Sequence, residues 1–346
     1  MANVYTLLKW FGKIRSNRLR RIGVWTMYVC RKRYLGLFLD PVQACNLRCR
    51  MCYFSTPAAR PVHGRIDMDE YRLMAHAIMH RVLKLQIGCG AEPTLCAHLP
   101  QMIAMAKEHG VPYVSITTNG QLLDLERLRT LAAAGLDELT LSAHGMCRPT
   151  YEWLMQRASF DTFMQLIGHI AMVQQEYPHL KLRINYTVNA DNVCELSLYP
   201  QVFSQVRVDV LQVRPIQDLG DSDYTNFSMD KVLAHYQDIF PPLQEHCRTH
   251  GTTLLFPTEE NLRALQGTQQ QEGGQEEAQS SDEAYVYALP GMLWHKDFDY
   301  AHETFEAYCH RTHYGRHLLR SILTGRQKAT HDQGGHTTRP LNYKVK

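Results

Sequence analysis

The stretch CNLRCRMC, at residues 45–52, places three cysteines, Cys45, Cys49 and Cys52, within one short segment of the chain. Three thiolates at this spacing can bind a soft metal centre. They cannot complete a four-iron cluster, because each iron of such a cluster needs its own ligand. An iron without a protein ligand keeps an open coordination position, and catalytic metal sites retain such positions. The stretch therefore predicts a catalytic centre rather than a structural one.

The chain around these cysteines alternates short β-rich runs with helix-period runs from residue 35 onward. Such alternation indicates βαβ units, and therefore a parallel sheet with helices packed outside it. The predicted strands are Leu35–Leu39, Val82–Cys89, Tyr113–Asn119, Glu138–His144, Lys181–Asn189 and Val208–Ile216, with a further candidate at Thr252–Phe256. The predicted helices are Met68–His80, Leu99–His109, Leu123–Ala134, Phe160–Tyr177 and Val193–Val206. We therefore expect an α/β fold, a partial (β/α)6 TIM-like barrel with an N-terminal basic helical extension and a C-terminal helical segment.

The predicted strands are apolar on one side only. In the fourth strand Leu139 and Leu141 alternate with Thr140 and Ser142, whereas strands of a fully covered parallel sheet are typically apolar on both sides. If the apolar sides face the helices, the polar sides line a lumen that can hold a polar ligand. An open sheet with one solvated face is the alternative. The candidate lumen residues are Lys84, Gln86, Asn185, Arg214 and Gln217.

Polar or glycine-rich segments follow four successive predicted strands. The cysteines follow the first strand and GCGAEP, at residues 88–93, follows the second. The third strand ends in TTNG at residues 117–120, and the fourth in SAHG at residues 142–145. Glycines allow the backbone to approach a ligand closely, and active sites of barrels gather at this edge of the sheet. We therefore expect a polar ligand over the mouth of the barrel.

Together these segments resemble the radical S-adenosylmethionine (radical SAM) enzymes over roughly residues 35–220. The spacing of Cys45, Cys49 and Cys52 is similar to that family's cluster motif, and residues 90–93 resemble its Gly-Gly-Glu-Pro loop. Ala91 stands where that loop has its second glycine, and this difference leaves the acceptor carboxylate of Glu92 in place. The other cysteines form no Cys-x2-Cys pair, so the resemblance is to a single-cluster core without an auxiliary-cluster domain.

The resemblance implies a [4Fe–4S] cluster on the three cysteines, with S-adenosylmethionine on the fourth iron. It also implies reductive cleavage of S-adenosylmethionine to methionine and a 5′-deoxyadenosyl radical, followed by hydrogen abstraction from an unidentified substrate. That substrate is a small molecule, a peptide or a lipid-linked compound. A one-electron donor such as flavodoxin or ferredoxin is the implied partner.

Further residues are assigned to S-adenosylmethionine by the same resemblance. Glu92, beside Gly90 and Ala91, is expected to accept a hydrogen bond from the methionyl amino group. Arg157 is expected to pair with the carboxylate, as a charge-assisted hydrogen bond. The residues expected near the ribose or the methionyl part are Asn119 and Ser142.

Two other interpretations of the cysteine stretch stay open. A structural zinc site would use the three cysteines together with His63, which would complete a tetrahedral ligand set. A non-catalytic protein could also hold an iron–sulfur cluster for electron transfer or as a scaffold. The zinc site accounts for neither the Glu-Pro loop nor the polar lumen.

The N-terminal segment is strongly basic. Residues 1–39 contain nine basic residues and no acidic one, interleaved with large apolar side chains. A basic amphipathic helix can lie on an anionic bilayer, gaining about 1 kcal/mol for each basic residue near the surface. The alternative is a helical cap over the main domain with a solvated basic face. Nucleic-acid binding is not expected, because no recognition motif accompanies the charge.

Composition limits the class of protein. The chain has 346 residues, of which 45% are hydrophobic and 21% charged, as in globular proteins. We find no apolar run near the ~20 residues of a membrane span and no export signal, so ten cysteines indicate a reducing compartment. We expect a cytoplasmic protein, with peripheral contact at the inner face of the membrane if the basic segment binds lipid. The predicted divisions are an extension at 1–34, a core at 35–258, an acidic low-complexity loop at 259–285, a helical segment at 286–326 and a tail at 327–346.

Overall fold

The computed structural model describes residues 16–52, 54, 64–218, 222–269 and 284–324. Its strands are β1 (Leu35–Leu39), β2 (Val82–Ile87), β3 (Tyr113–Thr118), β4 (Glu138–Ser142), β5 (Lys181–Val188), β6 (Val210–Pro215), β7 (Thr253–Leu255), β8 (Tyr285–Leu289) and β9 (Met292–Leu293). Its α-helices are α1 (Asn17–Val29), α2 (Met68–Ile78), α3 (Leu99–Glu108), α4 (Leu125–Ala133), α5 (Arg148–Leu154), α6 (Phe160–Glu176), α7 (Tyr199–Val202), α8 (Asp230–Ala234), α9 (Tyr236–Thr249), α10 (Glu259–Gln269), α11 (Phe305–Arg311) and α12 (Tyr314–Thr324).

Within these residues the strands form one sheet in the order β7-β6-β5-β4-β3-β2-β1-β8-β9. The pairs from β7 to β8 are parallel, and only β8 and β9 are antiparallel. Helices alternate with β1–β6 along the chain and also lie at both of its ends. The predicted α/β fold, a partial barrel, is therefore confirmed.

The two sides of the sheet differ as the sequence pattern predicts. In β5 Leu182 and Ile184 are fully buried, whereas Arg183 and Asn185 are half-buried. The buried side shares one core with the inward face of α6, which includes Phe163. The opposite, polar sides of the strands converge on a lumen, because side chains from β2, β4, β5 and β6 contact one another there.

Short polar side chains set where several helices begin. Asp67 precedes α2, and its carboxylate accepts hydrogen bonds from the N–H groups of Asp69 and Glu70. Asp124 and Ser159 cap α4 and α6 in the same way. Such caps satisfy N–H groups that have no partner within the helix, and each typically contributes about 1 kcal/mol.

The segment after residue 258 differs from its predicted description. Helix α10 occupies the start of the predicted acidic loop, and residues 270–283 lie outside the described residues. Strand β8 pairs in parallel with β1 and extends the sheet, where Phe38 stacks on Tyr287 with ring centroids 5.2 Å apart. The predicted helical segment at 286–326 contains two helices, α11 and α12, because the chain turns at His313, whose φ is +53°.

The two ends of the described chain pack on each other. The guanidinium of Arg21 on α1 donates to the carbonyl of Ser321 on α12 at 3.2 Å, and Tyr28 packs edge-on against Tyr314. Arg81, just before β2, donates to the carbonyl of Tyr28 at 2.9 Å. Helix α1, the described part of the basic segment, therefore packs at the amino edge of the sheet with Arg21 buried rather than solvated, and residues 1–15 lie outside the described residues. Among the residues that the structure describes, none of the helices combines the length and apolar character needed to cross a bilayer.

Candidate active site

The three cysteines lie on the loop that follows β1, at the carboxyl edge of the sheet. Burial raises the pKa of all three thiols, that of Cys52 to about 11, and the proximity of Cys52 and Cys45 further raises the pKa of Cys49. The N–H of Leu47 donates to Cys45 Sγ and that of Phe54 to Cys52 Sγ, both at 3.4 Å. Buried, neighbouring thiols with N–H···S hydrogen bonds are stabilised as thiolates by a cationic metal centre.

Three thiols form a donor set that an iron–sulfur cluster can use. In the part of the chain that the structure describes, no three His, Cys, Asp or Glu side chains form a group that could hold a metal ion. A zinc ion needs all its ligands within about 2.0–2.3 Å of one point, whereas the cysteines of a cluster bind separate irons. His63, the fourth ligand of the zinc alternative, lies outside the described residues. Three soft sulfur donors suit an iron–sulfur cluster, and the cluster stays a prediction.

Backbone hydrogen bonds hold the cysteine loop between two neighbouring loops. The N–H of Arg48 donates to the carbonyl of Gln156 at 3.0 Å, and the N–H of Glu92 donates to the carbonyl of Ala44 at 2.9 Å. Arg157 follows Gln156 on the same loop, with an exposed side chain and a left-handed backbone of φ +74°. The structure thus places Arg157 beside the cysteine loop, and its pairing with a carboxylate stays a prediction.

Asp40 organises the glycine-rich loop that follows β2, a role that the sequence analysis missed. Its carboxylate accepts hydrogen bonds from the N–H groups of Cys89 at 2.7 Å and of Gly90 at 3.0 Å. Gly88 enters this loop with φ +84°, and a Cβ there would lie 2.4 Å from the carbonyl oxygen of Thr117. Only glycine fits such a position. An acidic residue immediately after a strand that leads into a cysteine motif was the signal available in the sequence.

Glu92 joins the loop after β2 to the end of β3. Its side chain is 98% buried, and its Oε1 accepts from the hydroxyls of Thr94 and Thr118, both at 2.6 Å. Its Oε2 accepts from the N–H of Asn119 at 2.9 Å. Because a carboxylate oxygen offers about two acceptor sites, Oε2 can accept one more donor. Glu92 also lies near enough to Cys45 to raise the pKa of that thiol.

Asn119 connects β3 to the cysteine loop. Its Nδ2 donates to Oδ1 of Asn46 at 2.9 Å and contacts Cys45 Sγ at 3.9 Å. Its Oδ1 accepts from the N–H of Gln121 at 3.0 Å. The structure therefore brings three predicted site residues, Cys45, Glu92 and Asn119, into one hydrogen-bonded group.

The end of β4 contributes Ser142 and, two residues later, His144. Ser142 is half-buried and lies in register with Asn185 on β5. Burial lowers the pKa of His144 to about 4, and its Nδ1 accepts from the N–H of Thr187 at 3.1 Å. His144 is therefore neutral at physiological pH, with its proton on Nε2. The geometry puts Ser142 on the lumen side, and its contact with S-adenosylmethionine stays a prediction.

The predicted lumen residues lie below this edge. Lys84, Asn185 and Arg214 lie on β2, β5 and β6, on the sides that face the lumen. Gln86 donates to the hydroxyl of Thr117 at 3.1 Å, which ties β2 to β3. Gln217 lies just after β6 and is half-buried.

Residues 39–178 match the model of the radical SAM superfamily. A probable GTP 3′,8-cyclase of Sulfolobus acidocaldarius is 26% identical over 195 residues, which are 55% of this chain and 59% of that protein. A GTP 3′,8-cyclase of Chlorobaculum tepidum is 30% identical over 206 residues, 58% of this chain and 60% of that one. The Fe-coproporphyrin III synthase of Methanosarcina barkeri is 26% identical over 46% of this chain and 37% of its own length. The chain thus spans between about a third and three fifths of these relatives.

Solved structures of similar fold include two with bound S-adenosylmethionine. Streptococcus suis SuiB bound to S-adenosylmethionine superposes with a TM-score of 0.56 at 19% identity, over 80% of this chain and 64% of that one. The anSMEcpe structure with bound AdoMet gives a TM-score of 0.51 at 17% identity, over 64% of each chain. These similarities show a shared fold. The match of residues 39–178 is thus to the radical SAM superfamily, whose members use a [4Fe–4S] cluster and S-adenosylmethionine.

Proposed function

We propose that this protein is a radical SAM enzyme whose cluster is held by Cys45, Cys49 and Cys52. The observation that carries the proposal is the group in which the half-buried Cys45, the buried Glu92 and Asn119 are joined by hydrogen bonds and close contacts. When bound, the cluster and S-adenosylmethionine supply a 5′-deoxyadenosyl radical that abstracts hydrogen from the substrate, with methionine as the other product.

The residues of this chain would bind and orient the methionyl and ribose parts of S-adenosylmethionine. The remaining acceptor site on Oε2 of Glu92 suits the methionyl amino group, beside the backbone of Gly90 and Ala91. Asn119 and Ser142 would contact the ribose or the methionyl part, and Arg157 would pair with the carboxylate. Because Glu92 is fixed by hydrogen bonds from β3 and from its own loop, it is positioned before the ligand arrives.

Anaerobic reconstitution tests this function. The protein should bind iron and sulfide, show the broad visible absorbance of an iron–sulfur cluster, and release 5′-deoxyadenosine when S-adenosylmethionine and dithionite are added. Cys49→Ala should lose both the colour and the release, whereas Cys194→Ala, at an exposed cysteine outside the site, should lose neither. A colourless protein that binds zinc, or undiminished release from Cys49→Ala, would contradict the proposal.

We also propose a one-electron donor such as flavodoxin or ferredoxin as a partner, because reductive cleavage consumes one electron for each S-adenosylmethionine. Reduced flavodoxin should replace dithionite in the same assay. Failure of both reduced flavodoxin and reduced ferredoxin to support release would contradict this part of the proposal.

We also propose that the protein is cytoplasmic and makes peripheral contact with the membrane. Helix α1 packs on α12 with one side and exposes Leu19 and Ile22 on another. Leu319 and Leu323 of α12 are also exposed, and Arg18 donates to the carbonyl of Leu323 at 3.4 Å. Exposed apolar side chains beside basic ones suit the boundary of an anionic bilayer.

Co-sedimentation with vesicles tests the membrane contact. The protein should sediment with vesicles that contain phosphatidylglycerol more than with phosphatidylcholine vesicles. Ile22→Glu should weaken this binding, whereas Met172→Glu, at a similarly exposed apolar position on α6, should not. Equal sedimentation of both variants with anionic vesicles would refute the contact and leave α1 as a cap only.

A further inference from the structure

The part of the lumen away from the carboxyl edge is held together by contacts among its own side chains. Lys84 on β2 lies 3.6 Å from Oε1 of Glu138 on β4, and Nε of Arg183 on β5 lies 3.3 Å from the same oxygen. Arg183 also donates to Oε1 of Gln212 on β6 at 3.1 Å. These four side chains form an ionic layer that joins the strands across the lumen.

The next layer toward the carboxyl edge contains neutral amides. Inward side chains recur at every second residue of a strand, so this layer includes Gln86, Asn185 and Arg214. Arg214 donates back into the ionic layer, to Oε1 of Gln212 at 3.0 Å. Nε2 of Gln86 donates to the hydroxyl of Thr117 at 3.1 Å. The side chain of Asn185 is the remaining member of the three.

Asn185 has a buried acceptor without a donor. Its Oδ1 accepts no hydrogen bond from the residues that the structure describes. Taking an amide oxygen out of water without a partner is costly, and buried polar side-chain atoms normally have a partner. A donor on a bound molecule is therefore expected at this oxygen.

Asn192, on the loop after β5, shows how an asparagine with a structural role is bonded in the same region. It is fully buried, and its Oδ1 accepts from the N–H of Asn189 at 2.8 Å. Its Nδ2 donates to the carbonyls of His144 and Thr187, both at 2.9 Å. Both ends of its amide are thus used within the protein, whereas the oxygen of Asn185 is not.

The chemistry of a carboxamide restricts the partner of Asn185. Its Oδ1 only accepts and its Nδ2 only donates, so a matching group must carry both a donor and an acceptor. A bare oxyanion has no donor. A primary or cyclic amide presents an N–H and a carbonyl on the same side, and can therefore pair with the asparagine through two hydrogen bonds. Asparagine and glutamine side chains recognise the edge of adenine by the same kind of pairing.

We propose that the lumen binds an amide group of the substrate, primary or cyclic, through the side chain of Asn185. The inference rests on the proposed function, because it names the substrate class of the same barrel. Asn185 lies in register with Ser142, which is predicted to contact S-adenosylmethionine. The bound amide therefore lies between the ionic layer and the predicted S-adenosylmethionine site.

Saturation-transfer NMR titrations on the anaerobically reconstituted full chain test the site, with S-adenosylmethionine at saturation and no reductant. The probes are uracil, a cyclic amide, and nicotinamide, a primary amide. Their counterparts 1,3-dimethyluracil and N,N-dimethylnicotinamide keep the rings but have no amide N–H. The preferred N–H probe should bind about tenfold or more tightly than its methylated counterpart. The stronger of the two N–H probes identifies a cyclic or a primary amide as the group.

Two variants locate the binding. Asn185→Leu keeps the size of the side chain and should remove the preference for the N–H probe. Gln175→Leu, at an exposed position on α6, should preserve it. An unchanged preference in Asn185→Leu would overturn the inference.

Urea unfolding of the full chain gives a second readout that needs no probe. Asn185→Leu should raise the midpoint, because it removes a buried polar atom that has no partner in the protein. Asn192→Leu should lower the midpoint, because it leaves the carbonyls of His144 and Thr187 without their donor. A lower midpoint for Asn185→Leu than for the wild type would show that the protein itself satisfies this amide, and would overturn the inference.

The outcomes separate this inference from the proposed function. Protein that releases 5′-deoxyadenosine but shows no preference for either N–H probe holds only water at Asn185, which overturns the amide site alone. Protein that prefers an N–H probe through Asn185 but releases no 5′-deoxyadenosine contradicts the radical SAM activity and leaves the amide site standing.

Discussion

The carboxyl edge and the amino edge of the sheet are held by opposite kinds of side chain. At the carboxyl edge, Asp40 and Glu92 accept hydrogen bonds from backbone N–H groups of the loops after β2 and β3. At the amino edge, Arg33 and Arg81 donate to backbone carbonyls, those of His109 and Tyr28 among others. At both edges charged side chains thus provide hydrogen-bond partners for backbone groups, but the charges are of opposite sign.

The edges differ in what they leave available. The carboxyl edge presents three thiols for the predicted cluster, and Oε2 of Glu92 can accept a further donor beside the N–H of Asn119. Aromatic rings fill the amino edge. The guanidinium of Arg81 lies within 6 Å of the rings of Tyr28, Tyr34 and Phe305. Cation–π contacts of this kind contribute to stability without needing a ligand. We infer that one edge serves chemistry and the other closes the barrel.

Gly88→Ala should have the largest effect of these changes, because it distorts the loop after β2 at the carboxyl edge. Its Cβ would lie 2.4 Å from the carbonyl of Thr117, in addition to the strain of φ +84°, so we expect the free energy of unfolding to fall by about 3 kcal/mol. Release of 5′-deoxyadenosine should be lost even below the melting temperature, because the loop carries Glu92. Urea unfolding and the release assay measure the two effects.

Gly291→Ala is the matched control for this change. Gly291 has a similar φ of +74°, but a Cβ there meets no atom within 4 Å, so only the backbone strain of about 1 kcal/mol is expected. Equal destabilisation of the two variants would show that the contact with Thr117 is unimportant.

Arg81→Met should destabilise the packing at the amino edge without changing cluster binding or the cleavage of S-adenosylmethionine. The variant loses the hydrogen bond to the Tyr28 carbonyl and the ion pair with Glu306, so we expect a loss of about 2 kcal/mol in the free energy of unfolding. Iron content and 5′-deoxyadenosine release for each folded molecule should match those of the wild type. Arg248→Met, at an exposed arginine, should change neither quantity, and a loss of cluster in Arg81→Met would contradict the separation of the two edges.

The smallest expected effect is a pH dependence of stability caused by Lys84, whose side chain lies in the lumen between the two edges. Burial lowers the pKa of Lys84 to about 7, so between about pH 7 and pH 10 the unfolded chain binds a proton that the folded chain has released. The free energy of unfolding should therefore rise with pH in this window, by at most about 1.4 kcal/mol per pH unit from this group. Urea unfolding at several pH values should show a smaller rise in Lys84→Met than in Lys296→Met, where the lysine is exposed. Equal slopes would contradict the lowered pKa.

Local patterns were enough to predict the framework of the barrel. The first six strands appear where alternation placed them, and the ends that differ do so for local reasons. The second strand stops at Ile87 rather than Cys89 because Gly88 turns into the left-handed region. In place of the predicted helix over Val193–Val206, the structure has a 3-10 helix over Val193–Leu198 followed by α7. Pro200 has no N–H to donate, so it prevents one continuous α-helix there.

Other features depend on partners that are distant in the sequence. Nothing near Tyr285–Leu289 indicates that this strand pairs with β1, about 250 residues earlier. Asp40 has a local signal in its position after β1, but its role requires the loop after β2 to fold over it. Contacts of this kind follow from the register and twist of the sheet, which no local pattern records.

The sequence by itself determined the cysteine spacing, the alternation of strands and helices, and the polar sides of the strands, because each depends on neighbours within a few residues. Only the tertiary structure decided that Lys84, Glu138, Arg183 and Arg214 share one space, since parallel strands carry their inward side chains to a common lumen. It likewise decided that Glu92 and Asn119 reach Cys45, through loops that converge at the carboxyl edge of the sheet.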